Sequence, residues 1–249
     1  MALLRTPVTA RGPWLTAVLN DAAIGRPRAR PAAVVVEAHP QGRPDAVAFL
    51  SLRRRPLTTE VTVLGNRTAP TPGGRPAARL PARDEAAAAR LADGICELVG
   101  SLRGPWTLRL AGLPLGDPTT AALAARLPTA VLANARSTRL VDGLDEIDAV
   151  ERSRDPRMLE RVLPALLERQ ADPRARGFLR AAARLHAAIG QVEVASATAD
   201  GKLRAGLLTL LDGTDRWPWW GFSDVGGLRT EMGAPLVSLT VPARGWPSL

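Results

Sequence analysis

The sequence from Gly201 to Pro235, GKLRAGLLTLLDGTDRWPWWGFSDVGGLRTEMGAP, decides how the rest of the chain is interpreted. The Asp-Gly pair at residues 212–213 separates two apolar runs, which is a strong signal for a β-hairpin. Three tryptophans follow the turn, at Trp217, Trp219 and Trp220, and a glycine-rich segment comes after them. The stretch therefore predicts two antiparallel strands, the second of them aromatic, followed by a loop.

Helices and a further strand are predicted immediately before this stretch. Asp155-Pro156 and Asp172-Pro173 each combine a helix cap with a proline suited to the first helical turn, and apolar residues at helical spacing follow both pairs. Gly190 marks the end of the second helix. The strands predicted after it are Val192–Ala197, Leu203–Leu211 and Arg216–Phe222, and the turn between the first two is Asp200-Gly201.

The first part of the chain shows the same order of elements. A helix over about residues 7–23 precedes three β-like runs, at Ala33–Ala38, Ala46–Arg53 and Thr58–Leu64. The connections between these runs are short, which favours an antiparallel meander. A long loop, Gly65–Asp84, leads into a helix that Asp84 caps.

The first copy then continues with alternating strands and helices. A strand at Trp106–Leu110, a helix from Pro118 to Leu127 and a strand at Ala130–Ala133 predict a parallel crossover that completes a mixed sheet. We take the acidic segment Asp142–Asp155 as a boundary. The pattern predicts an α/β protein made by duplication, with modules at residues 1–141 and 142–249, the second one shortened and ending in a short strand, Leu236–Val241.

This order of elements resembles the GNAT acyltransferase fold, and two copies in tandem resemble the double-GNAT arrangement of FemAB-type transferases. The segments that carry the resemblance are Trp106–Pro128, Phe178–Leu211 and Trp217–Pro235. The resemblance implies an N-acyltransferase that moves an acyl or aminoacyl group from a thioester or tRNA donor to a small-molecule or peptide amine. It also implies acyl-CoA as a candidate donor.

The most telling GNAT motif, Arg/Gln-x-x-Gly-x-Gly/Ala before a helix, holds the pyrophosphate of coenzyme A on backbone N–H groups. Neither copy of this chain contains that motif. The equivalent loop of the first copy offers other glycines and arginines. The candidate ligands of the donor phosphates are therefore Gly65, Arg67, Gly73, Gly74 and Arg75.

Acyl transfer to an amine needs a base and oriented donors for the oxyanion. Asp224 and Glu231 flank the glycine-rich loop, and Glu193 lies on a preceding strand, so these three are the candidate bases. The alternative is that they are solvated surface carboxylates.

Trp217, Trp219 and Trp220 alternate imperfectly around a proline, so we expect at least one exposed indole. Such an indole would contact a substrate or a second subunit. The alternative is that the three indoles pack between the two copies.

The charge of the chain is uneven. Residues 1–83 hold thirteen arginines and four acidic residues, which accounts for the whole net charge of +9. A basic patch of this kind is typical of proteins that bind nucleic acid or a phosphorylated cofactor. A genome-wide preference for arginine is the alternative, because the chain has a single lysine, Lys202.

Several classes of site and location have no support in the sequence. One cysteine and two histidines give no basis for a disulfide, a zinc site or a nucleophilic triad. The sequence has no apolar run of about 18 residues, so we expect a cytoplasmic protein without a membrane span. Whether the chain is an enzyme stays open, with a catalytically silent binding module, a homodimer and a tRNA-binding protein as alternatives.

Overall fold

The computed structural model describes residues 4, 6–24, 29–37, 42–66, 70–74, 80–147 and 149–243, and these form an α/β fold with two sheets. The helices are α1 (Gly12–Ile24), α2 (Glu85–Gly100), α3 (Pro118–Arg126), α4 (Pro156–Glu168) and α5 (Pro173–Ala187). The strands are β1 (Ala29–Glu37), β2 (Pro44–Arg54), β3 (Thr59–Val63), β4 (Trp106–Pro114), β5 (Val131–Asp142), β6 (Val150–Ser153), β7 (Val192–Ala199), β8 (Lys202–Asp212), β9 (Asp215–Ser223) and β10 (Leu228–Val241). Short 3-10 helices lie at Val8–Ala10 and Leu144–Glu146.

Local signals in the sequence explain where the helices begin. An aspartate side chain accepts a backbone N–H of the first turn at four of the five helix starts, which satisfies a donor that has no partner within the helix. The capping residues are Asp84, Asp117, Asp155 and Asp172. The starts predicted for α2 to α5 are therefore confirmed.

The first sheet has the strand order β1-β2-β3-β4-β10-β5. Its pairs are antiparallel except for β3 and β4, which run parallel because α2 crosses over between them. The predicted mixed sheet and meander are confirmed. The crossover predicted through α3 does not pair its two strands, since β10 lies between β4 and β5, and the parallel pair is β3 with β4. Alternate residues of the strands, among them Leu50, Val61, Leu108 and Leu239, form a buried core with α2 and α3 on one face of the sheet.

The second sheet is antiparallel, with the order β6-β7-β8-β9. The Asp-Gly pairs at residues 200–201 and 212–213 form its two hairpin turns, as predicted, and Gly201 and Gly213 have positive φ angles of 69° and 63°. One face packs against α1, α4 and α5 in a second core. The other face places Ala195, Ala197 and Leu207 against Leu144.

The strand predictions for this part of the chain were incomplete. The strand predicted at Ala130–Ala133 is the much longer β5, and the segment Asp142–Asp155, whose role as a boundary stays a prediction, contains a strand that was not predicted, β6. The strand predicted at Leu236–Val241 as the end of the second copy is β10, which begins at Leu228 and lies in the first sheet between β4 and β5. Pairing partners far away in the sequence determine all three, so local patterns do not reveal them.

Each end of the chain therefore packs with the sheet that is more distant in the sequence. Helix α1 comes first in the sequence but packs on the second sheet, where the Trp14 ring lies 5.2 Å from Phe178 and 5.4 Å from Trp219, centroid to centroid. Strand β10 follows the second sheet in the sequence but completes the first one. The division into modules at residues 1–141 and 142–249 stays a prediction.

His186 on α5 provides a pH probe of the second core. Its side chain is fully buried, and neither ring nitrogen has a hydrogen-bond partner within the part of the chain that the structure describes. Burial lowers the pKa of His186 from 6.5 to about 4; the nearby side chain of Gln191 opposes this shift and the charge of Arg11 adds to it. The folded protein therefore keeps this imidazole neutral over a range in which the unfolded chain protonates it.

We predict that folding stability falls as pH decreases from 6.5 towards 4, because the unfolded chain then binds a proton that the folded chain excludes. The loss attributable to His186 is about 3 kcal/mol. Urea unfolding of the wild type and His186→Leu between pH 8 and pH 4 measures it. The variant should lose less stability over this range, with values at pH 8 as the reference for its packing change. Parallel pH profiles would contradict the assignment.

Candidate functional site

A cavity lies on the first sheet at the place where β3 ends beside β4. Their pairing runs only from Thr59 opposite Trp106 to Thr62 opposite Arg109. Strand β3 ends at Val63, whereas β4 continues to Pro114 along β10. The resulting cavity has a volume of about 200 Å³.

The side chains that line this cavity are mostly polar. They lie on the face of the sheet opposite α2 and α3, since the residues that alternate with them, such as Val61 and Leu239, point into the core. The polar set consists of Glu60, Thr62, Asn66, Arg109, Ser238 and Thr240. The cavity thus combines one carboxylate and one guanidinium with hydroxyl and amide groups.

Glu60 is the one acidic residue in this lining. Arg55 donates to its Oε2 from Nη2 at 2.9 Å and from Nε at 3.3 Å, and Nη1 of Arg109 lies 3.9 Å from its Oε1. Glu60 was not among the predicted site residues. Its position could have been noticed, because it is an acidic residue that alternates with valines on a strand followed by a loop and a helix.

The start of α2 does not fit the pyrophosphate of coenzyme A. Asp84 Oδ1 accepts the N–H of Ala87 at 2.7 Å, and Glu85 adds a second negative charge in the first turn. The bonds from Ala87 and Arg83 hold the pKa of Asp84 below its ordinary value, so this carboxylate stays charged at neutral pH. An incoming phosphate would meet an anion where GNAT proteins offer free N–H groups.

The predicted phosphate loop approaches other backbone segments closely. A side chain at Gly73 would collide with the carbonyl oxygen of Thr138 on β5, and Gly74, with a φ of +89°, accepts the N–H of Ala234 at 2.9 Å. Gly65, with a φ of +82°, lies against Val18 of α1. Close packing at these contacts explains why glycine occupies the three positions. Two further candidates, Arg67 and Arg75, lie outside the described residues, and the phosphate-binding role of all five stays a prediction.

The three tryptophans lie in or against the second core. Trp217 and Trp219 are buried, and Trp220 is partly buried against the same core, so the expectation of an exposed indole was wrong. Trp219 donates from Nε1 to the carbonyl oxygen of Pro70 at 2.6 Å, which ties the long loop to the second sheet. A role of these indoles in substrate binding stays a prediction.

Two of the predicted bases are paired with arginine at the surface. Asp224 Oδ2 accepts Nη2 of Arg169 at 2.6 Å. Glu231 lies on β10, which begins at Leu228 after the glycine-rich loop. Bonds from Arg139 and then Arg229 lower the pKa of Glu231. Neither carboxylate lines the cavity between β3 and β4.

Glu193, the third predicted base, belongs to a buried charge network. Its carboxylate accepts Nη1 of Arg216 at 3.0 Å and Nη1 of Arg152 at 3.4 Å. Arg152 also donates to Asp142 at 3.0 Å and to Asp145 at 2.7 Å. Burial alone would lower the pKa of Arg152, but the bonds to the two aspartates raise it above its ordinary value. The network joins the end of β5 to the second sheet, away from the cavity.

Within the described ranges, no three His, Cys, Asp or Glu side chains are grouped so that they would hold a metal ion. Of the helices that the structure describes, none has the length and apolar character needed to cross a membrane.

Comparison with known proteins gives structural matches alone. No protein-family model and no curated protein matches the sequence. A conserved protein of unknown function from Bacteroides thetaiotaomicron has a similar structure, with a TM-score of 0.51, 8% identity, and coverage of 93% of this chain and 88% of the other. This similarity shows a shared fold.

Two further solved structures have lower TM-scores. A tandem GNAT protein from the clavulanic acid biosynthesis pathway gives 0.38, at 15% identity over 93% of this chain and 89% of its own. FemX gives 0.47, at 11% identity over 84% of this chain and 54% of its own. Solved GNAT-fold proteins are thus among the structures that this chain resembles.

We predict that Glu193→Ala destabilises the protein by about 1 to 3 kcal/mol, because it removes a buried carboxylate that pairs with the partly buried Arg152 and with Arg216. Asp224→Ala is the matched control, since it removes a surface ion pair and should cost less than about 1 kcal/mol. Urea unfolding at neutral pH measures both, and Glu193→Gln provides a milder variant if the alanine does not fold. Equal, small losses for Glu193 and Asp224 would refute the structural role of the network.

Proposed function

We propose that this chain transfers an acyl group to an amine in the cavity between β3 and β4. The observation that carries the proposal is the polar cavity that contains Glu60 at the end of the parallel pair of β3 and β4. The agreement of the strand order with the GNAT fold supports acyl transfer as the class of reaction. The acceptor that we propose is a small-molecule or peptide amine.

Glu60 is the group that we assign as base. The two bonds from Arg55 fix the position of its Oε2 and direct Oε1 towards Arg109 and the cavity. An amine bound beside Oε1 would donate its proton there as its nitrogen attacks the acyl carbonyl. Collapse of the tetrahedral intermediate would then break the bond from the carbonyl carbon to the sulfur or oxygen of the donor, and this leaving group would take up the proton held by Glu60. Arg109 and the hydroxyl groups of Ser238 and Thr240 supply N–H and O–H donors for the oxyanion that develops.

The donor that we propose is an activated acyl compound, either a thioester or an aminoacyl ester of tRNA. Because the capped start of α2 does not fit a pyrophosphate, we assign no step to the nucleotide part of coenzyme A. Arg30, Arg53 and Arg54 form an exposed basic group at one end of β1 and β2, which would suit a nucleic-acid donor.

A catalytically silent binding module is the second candidate, and one observation favours it. The carboxylates that are candidates for the base are all bonded to arginine, including Glu60 itself. Pairing with arginine stabilises the charged form of a carboxylate and therefore weakens it as a proton acceptor. Activity measurements separate the two candidates.

We predict that Glu60→Gln lowers kcat by about 100-fold or more, because the amide keeps the shape of the side chain but cannot accept the proton. Thiol release from acetyl-CoA and from S-acetyl-N-acetylcysteamine, with a panel of primary amines, measures the reaction. The two donors should react with similar kcat/KM, since the second lacks only the nucleotide and part of the pantetheine arm.

Glu37→Gln, at the exposed end of β1, is the matched control and should leave the rate unchanged. The wild type failing to turn over thioester and aminoacyl-tRNA donors alike would support the silent module. Full activity of Glu60→Gln would remove Glu60 from the mechanism.

A further inference from the structure

A second and larger cavity lies beneath α4, apart from the cavity between β3 and β4. Its volume is about 360 Å³, which lies near the lower end of the range for small-molecule pockets. It is enclosed by α4 on one side and by β6, β7 and the β7–β8 turn on the other. A ligand of about the size of an amino acid fits such a volume.

The inner part of this cavity is apolar. Met158 and Val162 project from α4, and each is only 7% exposed. Leu203 of β8 closes the floor, where it also packs against the second core. A buried aliphatic group of a ligand would replace water on this surface.

One rim of the cavity offers acceptors for an ammonium group. Glu151 on β6 lies directly opposite Ser196 on β7, so both side chains are on the same face with Cβ atoms about 5 Å apart. Ser196 is 5% exposed. Within the described part of the chain, neither side chain has a hydrogen-bond or ion-pair partner. A protonated amine, with three N–H donors, would satisfy both.

Donors for a carboxylate lie on the facing helix α4 and further along β7. Arg161 lies one turn along α4 from Met158, and Thr198 lies two residues after Ser196 on the same face of β7. Arg161 forms no ion pair with the described residues, whereas Arg184 and Arg169 nearby are bonded to Glu160 and Asp224. A free guanidinium binds a carboxylate through two parallel N–H bonds.

We propose that the cavity beneath α4 binds a free aliphatic α-amino acid of the size of leucine or methionine. Glu151 and Ser196 would hold the ammonium group, Arg161 and Thr198 the carboxylate, and the apolar floor the side chain. This site is independent of the proposed acyl transfer, because none of its lining residues borders the cavity that contains Glu60.

Calorimetric titration of the full chain tests the ligand class. L-leucine and L-methionine are the probes, with leucinamide and 4-methylpentanoate as analogues that lack the carboxylate and the amine, respectively. We expect at least one amino acid to bind and both analogues to bind at least tenfold more weakly. Absence of binding by leucine and methionine at millimolar concentration would overturn the proposal, as would equal affinity for either analogue.

Variants of the chain test the location of the site. Glu151→Gln and Arg161→Gln should each weaken binding at least tenfold, and Ala165→Phe, which fills the cavity from the surface of α4, should abolish it. Glu168→Gln and Arg157→Gln lie on the same helix outside the lining and are the matched controls. Thermal melting verifies that each variant is folded. Unchanged affinity in all three cavity variants would refute the assignment.

Discussion

The position of β10 is the constraint on which the rest of the structure depends. In the first sheet β5 pairs with β10, and β10 pairs with β4, so β10 is the link between them. The chain forms the second sheet between β5 and β10 and then returns. The last strand of the first sheet, β10, therefore follows the whole second sheet in the sequence. At the N-terminal end, α1 precedes the first sheet in the sequence but places Trp14 in the core of the second. Each sheet thus takes an element from the far end of the sequence.

Contacts between the sheets fix the surroundings of the candidate site. The long loop after β3 touches α1 through Gly65, the second sheet through the bond between Pro70 and Trp219, and β5 through Gly73. These contacts hold the loop from several sides near the end of β3. The network around Arg152 and Glu193 holds the end of β5 in a similar way. The glycines and tryptophans that suggested a binding site in the sequence thus pack the long loop against α1, β5 and the second sheet.

Local signals predicted most elements, and distant contacts explain the failures. The aspartate caps and the two Asp-Gly turns act within a few residues, so the sequence alone placed α2 to α5 and the hairpins of the second sheet. The sheet that β10 joins depends on partners about 100 residues away, and no local pattern carries that information. The same holds for the site, because Glu60, Arg109 and Ser238 meet only when three strands assemble. Nothing in the sequence around Glu193 indicated which arginines would pair with it.

The exchange of the chain ends makes the two sheets one cooperative unit, and this is the central claim of the account. Unfolding of either sheet removes an element from the core of the other, so neither should melt alone. Differential scanning calorimetry of the full chain tests this most directly. The account predicts a single transition in which the calorimetric and van't Hoff enthalpies agree. Two resolved transitions, or a calorimetric enthalpy well above the van't Hoff value, would contradict it.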